Sequence, residues 1–306
     1  MMRQKRTLSQ RLHTSAKRIV ADRSCYFMIT PFMIAFLLFT VIPVVAAIVL
    51  SFTDFNMLQT PNFVGFDNYK TLFLNDDVFI IAVKNTLILA MITGPLSYIA
   101  CFVFAWFINE LPNKLRAFMT VVFYAPSISG GVLGIWTYIF SGDRLGVLNS
   151  FLMKFGLIDA PIQWLTNTDY MMICCIIVQL WLSLGTSFLS FMAGFKTVDT
   201  TLYEAGAIDG VRNRFQEVWF LTIPQMKPQL LFGAVMQIAS SFAVGSIPMA
   251  LTGFPSTDYA THTVIAHVQD YGGTRFELGY ACAVSTVLLL VMLLANKVVN
   301  KLLVEE

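Results

Sequence analysis

The chain has 306 residues, of which 57% are hydrophobic and 12% charged, with a net charge of +2. Soluble domains are roughly 25% charged, so this composition excludes an ordinary water-soluble globule and makes lipid part of the solvent. The near-neutral balance says little by itself; the placement of the charges says more.

Residues 1–25 form a basic tail carrying Arg3, Lys5, Arg6, Arg11, Lys17, Arg18 and Arg23. A cleaved leader has an apolar core of about 7–15 residues, and the run after this tail is longer, so the pair reads as an uncleaved anchor. The tail's charges read as a topology signal rather than a nucleic-acid or lipid-specific site. A membrane helix needs roughly 20 apolar residues. Six stretches qualify: Tyr26 to Phe52, Val78 to Ile108, Ala117 to Phe140, Tyr170 to Phe195, Gln229 to Thr252 and Leu278 to Ala295. Lys84 is the only charge in any of them. The third and fifth contain Gly and Pro (Pro126, Gly130, Gly131, Gly134; Gly233, Gly245, Pro248). Neighbouring helices in a membrane bundle can satisfy the backbone groups that such residues free.

Lys and Arg then orient the chain. They crowd the tail, the loop after span two (Lys114, Arg116), the loop after span four (Lys196, Arg212, Arg214, Lys227) and the C-terminus (Lys297, Lys301). The opposite loops hold only Lys70, Arg144, Lys154 and Arg275. The positive-inside rule puts both termini in the cytoplasm. The expectation is an all-α polytopic protein of the cell membrane with six transmembrane helices.

Between spans four and five lies "LYEAGAIDGVRNRFQEVWFLTIPQMKP", Leu202 to Pro228. Thr201 and Glu204 have capping-box spacing, in which each side chain bonds the other's amide. A helix starting there aligns Leu202, Ala205 and Ile208, and Gly210 ends it at a C′ position. A second helix follows, with Phe215, Val218 and Trp219 on one face and Arg212, Arg214 and Glu217 off it. Pro224 and Pro228 bracket the start of span five, where a missing amide does least harm. The segment reads as two short amphipathic helices on the cytoplasmic surface. Their surface holds too many charges for lipid and too many apolar groups for water.

No GxxxxGK[ST], HExxH or GxSxG occurs, so no phosphate loop, zinc-protease site or hydrolase nucleophile is signalled. Cys25, Cys101, Cys174, Cys175 and Cys282 make no CxxC pair. His262 and His267 lie in an outer loop, five apart, which is poor spacing for one helical face. No catalytic residue, metal or cofactor is expected on this chain.

"EAGAIDGVRNRFQEVWFLTIPQMKP" closely resembles the EAA loop of ABC-importer permeases, E-A-A-x-x-D-G-A followed by an aromatic and I-x-x-P-x-x-x-P. Glu204, Ala205, Asp209, Gly210, Phe215, Ile223, Pro224 and Pro228 match. Gly206 stands for the usual second Ala and Val211 for the Ala after D-G; Gly206 loosens the first helix by up to ~1 kcal/mol. "FVGFDNYKTLF" (Phe63 to Phe73), "KNTLILA" (Lys84 to Ala90) and "GVLGIWTYIFSGDRLGVLNSFL" (Gly131 to Leu152) resemble carbohydrate-type permeases, most closely the first permease of maltose-type and glycerol-3-phosphate-type systems. The resemblance implies that residues 26–77 are a first helix and outer loop. It implies that residues 78–306 are the permease domain, with the EAA loop at about 200–228. It implies partners: a second homologous permease, an ABC ATPase dimer that binds ATP and Mg, and an extracytoplasmic solute-binding protein. The imported solute is then a sugar or oligosaccharide, with glycerol-3-phosphate as an alternative. An ion-coupled secondary transporter would more often carry an ionisable group at mid-membrane, and none is seen. The coupling residues are Glu204, Ala205, Asp209, Gly210, Phe215, Pro224 and Pro228. For the solute path, intramembrane polar groups tend to face a wet interior. Gln237, Ser240 and Ser241 in span five and Thr186 and Ser187 in span four are candidates, and Trp181 and Tyr280 could stack on a sugar. Helix–helix hydrogen bonding is the competing role for each.

Overall fold

A computed structural model describes residues 23–304. The basic tail, Arg23 to Cys25 apart, lies outside the described residues. Among those described, the only β feature is one antiparallel bridge between Thr53 and Phe63; the rest is helix, turn and loop.

The first apolar run forms α1, Arg23–Leu50, a single rod with a π-helical turn at Leu37–Val41. None of its residues is buried, and Phe27, Met28 and Phe39 are each over 80% exposed. Such a rod is covered by lipid or by another chain. The following loop is pinned by Asn68 at the start of α2 (Asp67–Leu74), whose Nδ2 donates to the Ser51 and Thr53 carbonyls at 2.9 and 2.8 Å.

The second run forms α3, Asp77–Asn109, a 33-residue helix capped by Asp76, which accepts from the Phe79 amide at 2.8 Å. The third run is broken. Here α4 (Asn113–Ile128) and α5 (Leu133–Ile139) meet at 85°. Pro126 and the pair Gly130–Gly131 account for the break, since Pro removes a ladder donor and Gly holds the helix weakly. The next loop carries α6, Val147–Lys154. Its Asn149 is fully buried; it donates to the Ser141, Asp143 and Ile162 carbonyls and accepts from Trp164 Nε1 at 2.8 Å.

The fourth run is α7 (Thr168–Leu182) and α8 (Thr186–Thr197), interrupted at residues 183–185. The loop helices are α9 (Thr201–Ile208) and α10 (Arg214–Glu217), the latter running into a π turn at Val218–Thr222. The fifth run is α11 (Lys227–Phe242) and α12 (Ser246–Thr252), interrupted at residues 243–245. A short α13 (Val264–Gln269) precedes the last helix, α14 (Leu278–Val304). Among the described residues five helices or near-continuous pairs have membrane length and hydropathy, and the bent α4–α5 pair makes a sixth.

α3 is the axis of the packing. One end holds Cys101, Ala105, Phe188, Phe191, Phe195 and Met226, contributed by α3, α8 and the start of α11. Tyr98 meets the Phe191 ring edge-on at 5.4 Å. The other end holds Leu72, Phe79, Ala82, Val264, Tyr280 and Val284. Lipid tails are as apolar as these side chains, so such contacts stabilise through dispersion and fit rather than through escape from water.

Candidate functional site

The loop between α8 and α11 is assembled by local rules. Its first helix starts at Thr201, and Asp199 Oδ1 accepts from the Thr201 amide at 3.0 Å. The expected Thr201–Glu204 box does not form. Thr201 is already the first residue of the helix, and Asp199, two residues earlier, supplies the cap. The expected stop at Gly210 does form. Gly210 has φ +96°, and the Val211 amide donates back to the Gly206 carbonyl at 2.9 Å, which is the Schellman arrangement. An L side chain is strained at that φ. The second helix is capped by Asn213, which accepts from the Gln216 amide at 2.8 Å, while Gln216 Oε1 accepts from the Arg212 amide at 2.9 Å.

The two helices fold back on each other. Gly206 is buried against Leu221: a Cβ there would lie 2.7 Å from Leu221 Cδ1. The Gly that departs from the resembled pattern therefore admits a Leu from the opposite arm. Facing outward are Glu204, Ala205, Asp209, Gly210, Phe215, Pro224 and Pro228, all exposed. Around them stand large uncovered apolar groups: Ile208 is 87% exposed, Phe215 65%, Trp219 60% and Phe220 62%.

In the interior, the candidate path residues divide in two. Gln237 is buried; its Nε2 donates to the Ser183 carbonyl at 3.3 Å, at the interruption between α7 and α8, and to Cys101 Sγ at 3.2 Å. Ser187 is buried and donates to the Gly233 carbonyl at 3.1 Å. Ser241 donates to the Ile238 carbonyl of its own helix. Tyr280 donates to Asp76 at 2.6 Å, far from the interruption. By contrast Trp181, Thr186 and Ser240 are exposed on the bundle. Trp181 lines a cleft of about 610 Å³ with Phe104, Phe123, Pro126 and Leu184, and meets Trp136 edge-on at 5.4 Å.

Sequence reasoning missed a second polar assembly, at the opposite end from the helical loop. Asp76 accepts from Tyr280, from His267 Nε2 at 3.0 Å and from Tyr271 at 3.3 Å. His267 Nδ1 faces His262 Nε2 at 3.4 Å. Asn85 donates to the carbonyls of Tyr259 and His262, and Thr86 accepts from the Val264 amide. Burial works against charge on Asp76, but the donors from Tyr280, the Phe79 amide and His267 outweigh it and hold the carboxyl below its usual range. Burial pushes His262 down to about 4, helped by the neighbouring His267, while His267 is lowered by burial against the pull of Asp76. The one sequence signal was the pair Asp76–Asp77 ahead of an apolar run, which marks a helix start but not the distant partners of Asp76.

The sequence profile described as "Binding-protein-dependent transport system inner membrane component" matches residues 110–303. The chain belongs to that family. It is 32% identical over 285 residues to the probable ABC transporter permease protein YesP of Bacillus subtilis, covering 90% of this chain and 89% of that one. It is 27% identical to the arabinooligosaccharides transport system permease protein AraP of Bacillus subtilis, over 90% of this chain and 87% of the relative. Among solved structures it resembles a bacterial ABC transporter involved in import of the acidic polysaccharide alginate, with a TM-score of 0.71 and 25% identity over 94% of this chain and 99% of that one. A second structure of an alginate ABC transporter, in complex with an alginate pentasaccharide-bound periplasmic protein, gives a TM-score of 0.74 and 25% identity over 94% and 97%. The family is one of membrane permeases, and the loop helices and broken spans described above belong to a permease subunit.

Proposed function

We propose that this chain is a permease subunit of an ABC importer for a sugar or oligosaccharide, moving solute inward by alternating access. ATP hydrolysis, with Mg, takes place on a partner ATPase dimer and is coupled through the loop at residues 200–228. A second permease completes the pore, and an extracytoplasmic solute-binding protein delivers the solute. Both termini and the coupling loop face the cytoplasm. The similarity to arabinooligosaccharide and alginate systems supports the carbohydrate assignment.

The carrying observation is that all seven coupling residues, Phe215 among them, are exposed on one folded loop beside three further uncovered apolar side chains, Ile208, Trp219 and Phe220. A protein cleft suits that surface; neither lipid nor water does. Glu204 meets a cation of the ATPase, while Phe215 and its neighbours fill the cleft. In the interior, Trp181, Thr186 and Ser240 form the wall that solute touches. A hydroxyl both donates and accepts, as sugar hydroxyls do, and an aromatic face suits a sugar ring. Gln237, Ser187 and Ser241 hold that wall in place from behind, while Tyr280 serves the Asp76 assembly.

Membranes carrying the complete complex test this reading with Glu204→Gln and Phe215→Ala. Both are expected to reduce the ATPase subunit that co-purifies, or its solute-stimulated hydrolysis, while the permease still inserts. Full retention and full stimulated hydrolysis in both variants would count against the coupling surface.

A further inference from the structure

Beneath the exposed loop lies a second feature, a cleft of about 180 Å³ lined by Trp106, Glu110, Phe195, Tyr203, Arg214 and Thr222 among others. Two kinds of bond cross it. Arg214 reaches Glu217 at 2.7 Å and Glu110, at the end of α3, at 3.6 Å. The Arg214 and Glu110 side chains are 67% and 45% exposed, and pairs so placed contribute about 0–1 kcal/mol. They do not fix the loop.

The other bond is sheltered. Thr222 is 1% exposed and lies at the end of the π turn. Its Oγ1 donates to the Glu217 carbonyl at 3.3 Å and lies 2.8 Å from the Tyr203 hydroxyl. A threonine hydroxyl has one proton, so when it is used on Glu217, Tyr203 is the donor to Thr222. Tyr203 stands next to Glu204 on α9, and its ring packs against the cluster built by α3, α8 and α11. One side chain therefore touches the outward-facing helix, the returning arm and the membrane core. π turns recur at functional positions in helices, and here the widened turn brings Thr222 under Tyr203.

We infer that Tyr203 is a positioning residue for coupling: its hydroxyl, through Thr222, sets the angle of α9 against the spans, so that movement of the loop is passed to α8 and α11. This inference rests on the importer reading. Tyr203→Phe keeps the ring and its packing and removes only the donor; Thr222→Val keeps the shape and removes both bonds of the hydroxyl.

The test is made on the complete complex in proteoliposomes, measuring solute transported per ATP hydrolysed. Substitutions along such networks change coupling by roughly two- to thirtyfold, so Tyr203→Phe is expected to lower that ratio by about twofold or more. Co-purified ATPase and melting temperature are expected to stay at wild-type levels. The double variant should be no worse than the more severe single one, because both remove the same link. An unchanged ratio in Tyr203→Phe beside a normal wild type overturns the inference alone, as does a fall that only follows loss of assembly. A wild-type complex that shows no solute-stimulated hydrolysis overturns the importer reading, and the inference with it.

Discussion

The loops on either side of span five are built in opposite ways. The one before it, residues 198–226, is held by neighbours a few residues away: Asp199 to Thr201, Gln216 to Arg212, Val211 to Gly206. Its signature residues point outward and bond to nothing in their own chain that the fold requires. The one after it, residues 253–277, turns its polar groups inward. His267, Tyr271 and Asn85 bridge to partners between 174 and 195 residues away. The first loop leaves its signature side chains uncovered, and in the proposed reading a partner covers them; the second is finished by its own spans. Loss of an outward-facing polar group should accordingly disturb association in the first, and loss of an inward-facing one should disturb stability in the second.

The sharpest way to break that contrast is at Asp76. Its carboxylate receives four donors, the Phe79 amide and the side chains of His267, Tyr271 and Tyr280. Asp76→Ala leaves them unmatched in a buried place, and an unsatisfied buried donor typically costs about 1–3 kcal/mol. A fall in melting temperature of the detergent-solubilised chain is expected, with none for Glu204→Ala measured alongside. Equal melting of the two variants would erase the distinction between the loops.

Acid should act on the same side of the comparison. His262 and His267 are 3% and 1% exposed and face each other, with Asp76, Asp270, Arg275, Tyr271 and Tyr280 around them. Both have folded pKa values below the ordinary histidine value, so the neutral forms are the ones that fit. Their contribution is complete above about pH 6.5 and declines as the pH falls toward about 4, the value for His262. For His262 alone the loss approaches about 3 kcal/mol at the acid end. Two protonated rings would also set N–H against N–H across the 3.4 Å gap. Melting temperature followed from pH 7 to pH 4 should fall in wild type and fall less in His262→Gln. Parallel curves would show that the pair does not titrate in this window.

How much of this was legible follows the same division. The helical content, the apolar runs and the loop helices with their stop at Gly210 came from local pattern, because composition, periodicity and a glycine at positive φ are local facts. The interruption in α4–α5 was foreshadowed by Pro126 and Gly130–Gly131. The one at residues 183–185 was not, although Gly185 stands there, because Ser183 and Leu184 do not break helices by propensity. Its exposed carbonyl is satisfied by Gln237 from another span. The Asp76 assembly was invisible for the same reason. Nothing in "ND" before an apolar run tells of Tyr280, and His262 and His267 are brought face to face by the turn ahead of α13 rather than by helical spacing. The displaced cap at Asp199 is a smaller miss, two residues from the expected Thr201.

That displaced cap gives the smallest expected effect and the finest check on the outward loop. Thr201–Glu204 has capping-box spacing, yet Thr201 is the first residue of α9 and Asp199 holds its amide. The Asp199 carboxyl lies below its ordinary value because that amide, then the Thr201 hydroxyl, donates to it. The Asp199 side chain holds the first turn by capping its amide, whereas Thr201→Ala gives up only the hydroxyl bond to Asp199 and gains the best helix former. Asp199→Ala is therefore expected to loosen α9, read as faster amide hydrogen exchange at residues 201–208, with little change in global melting. Thr201→Ala should leave that exchange unchanged or slow it. The reverse order would mean that the Thr201–Glu204 box forms in the working complex, with the cap moved two residues along the chain from Asp199.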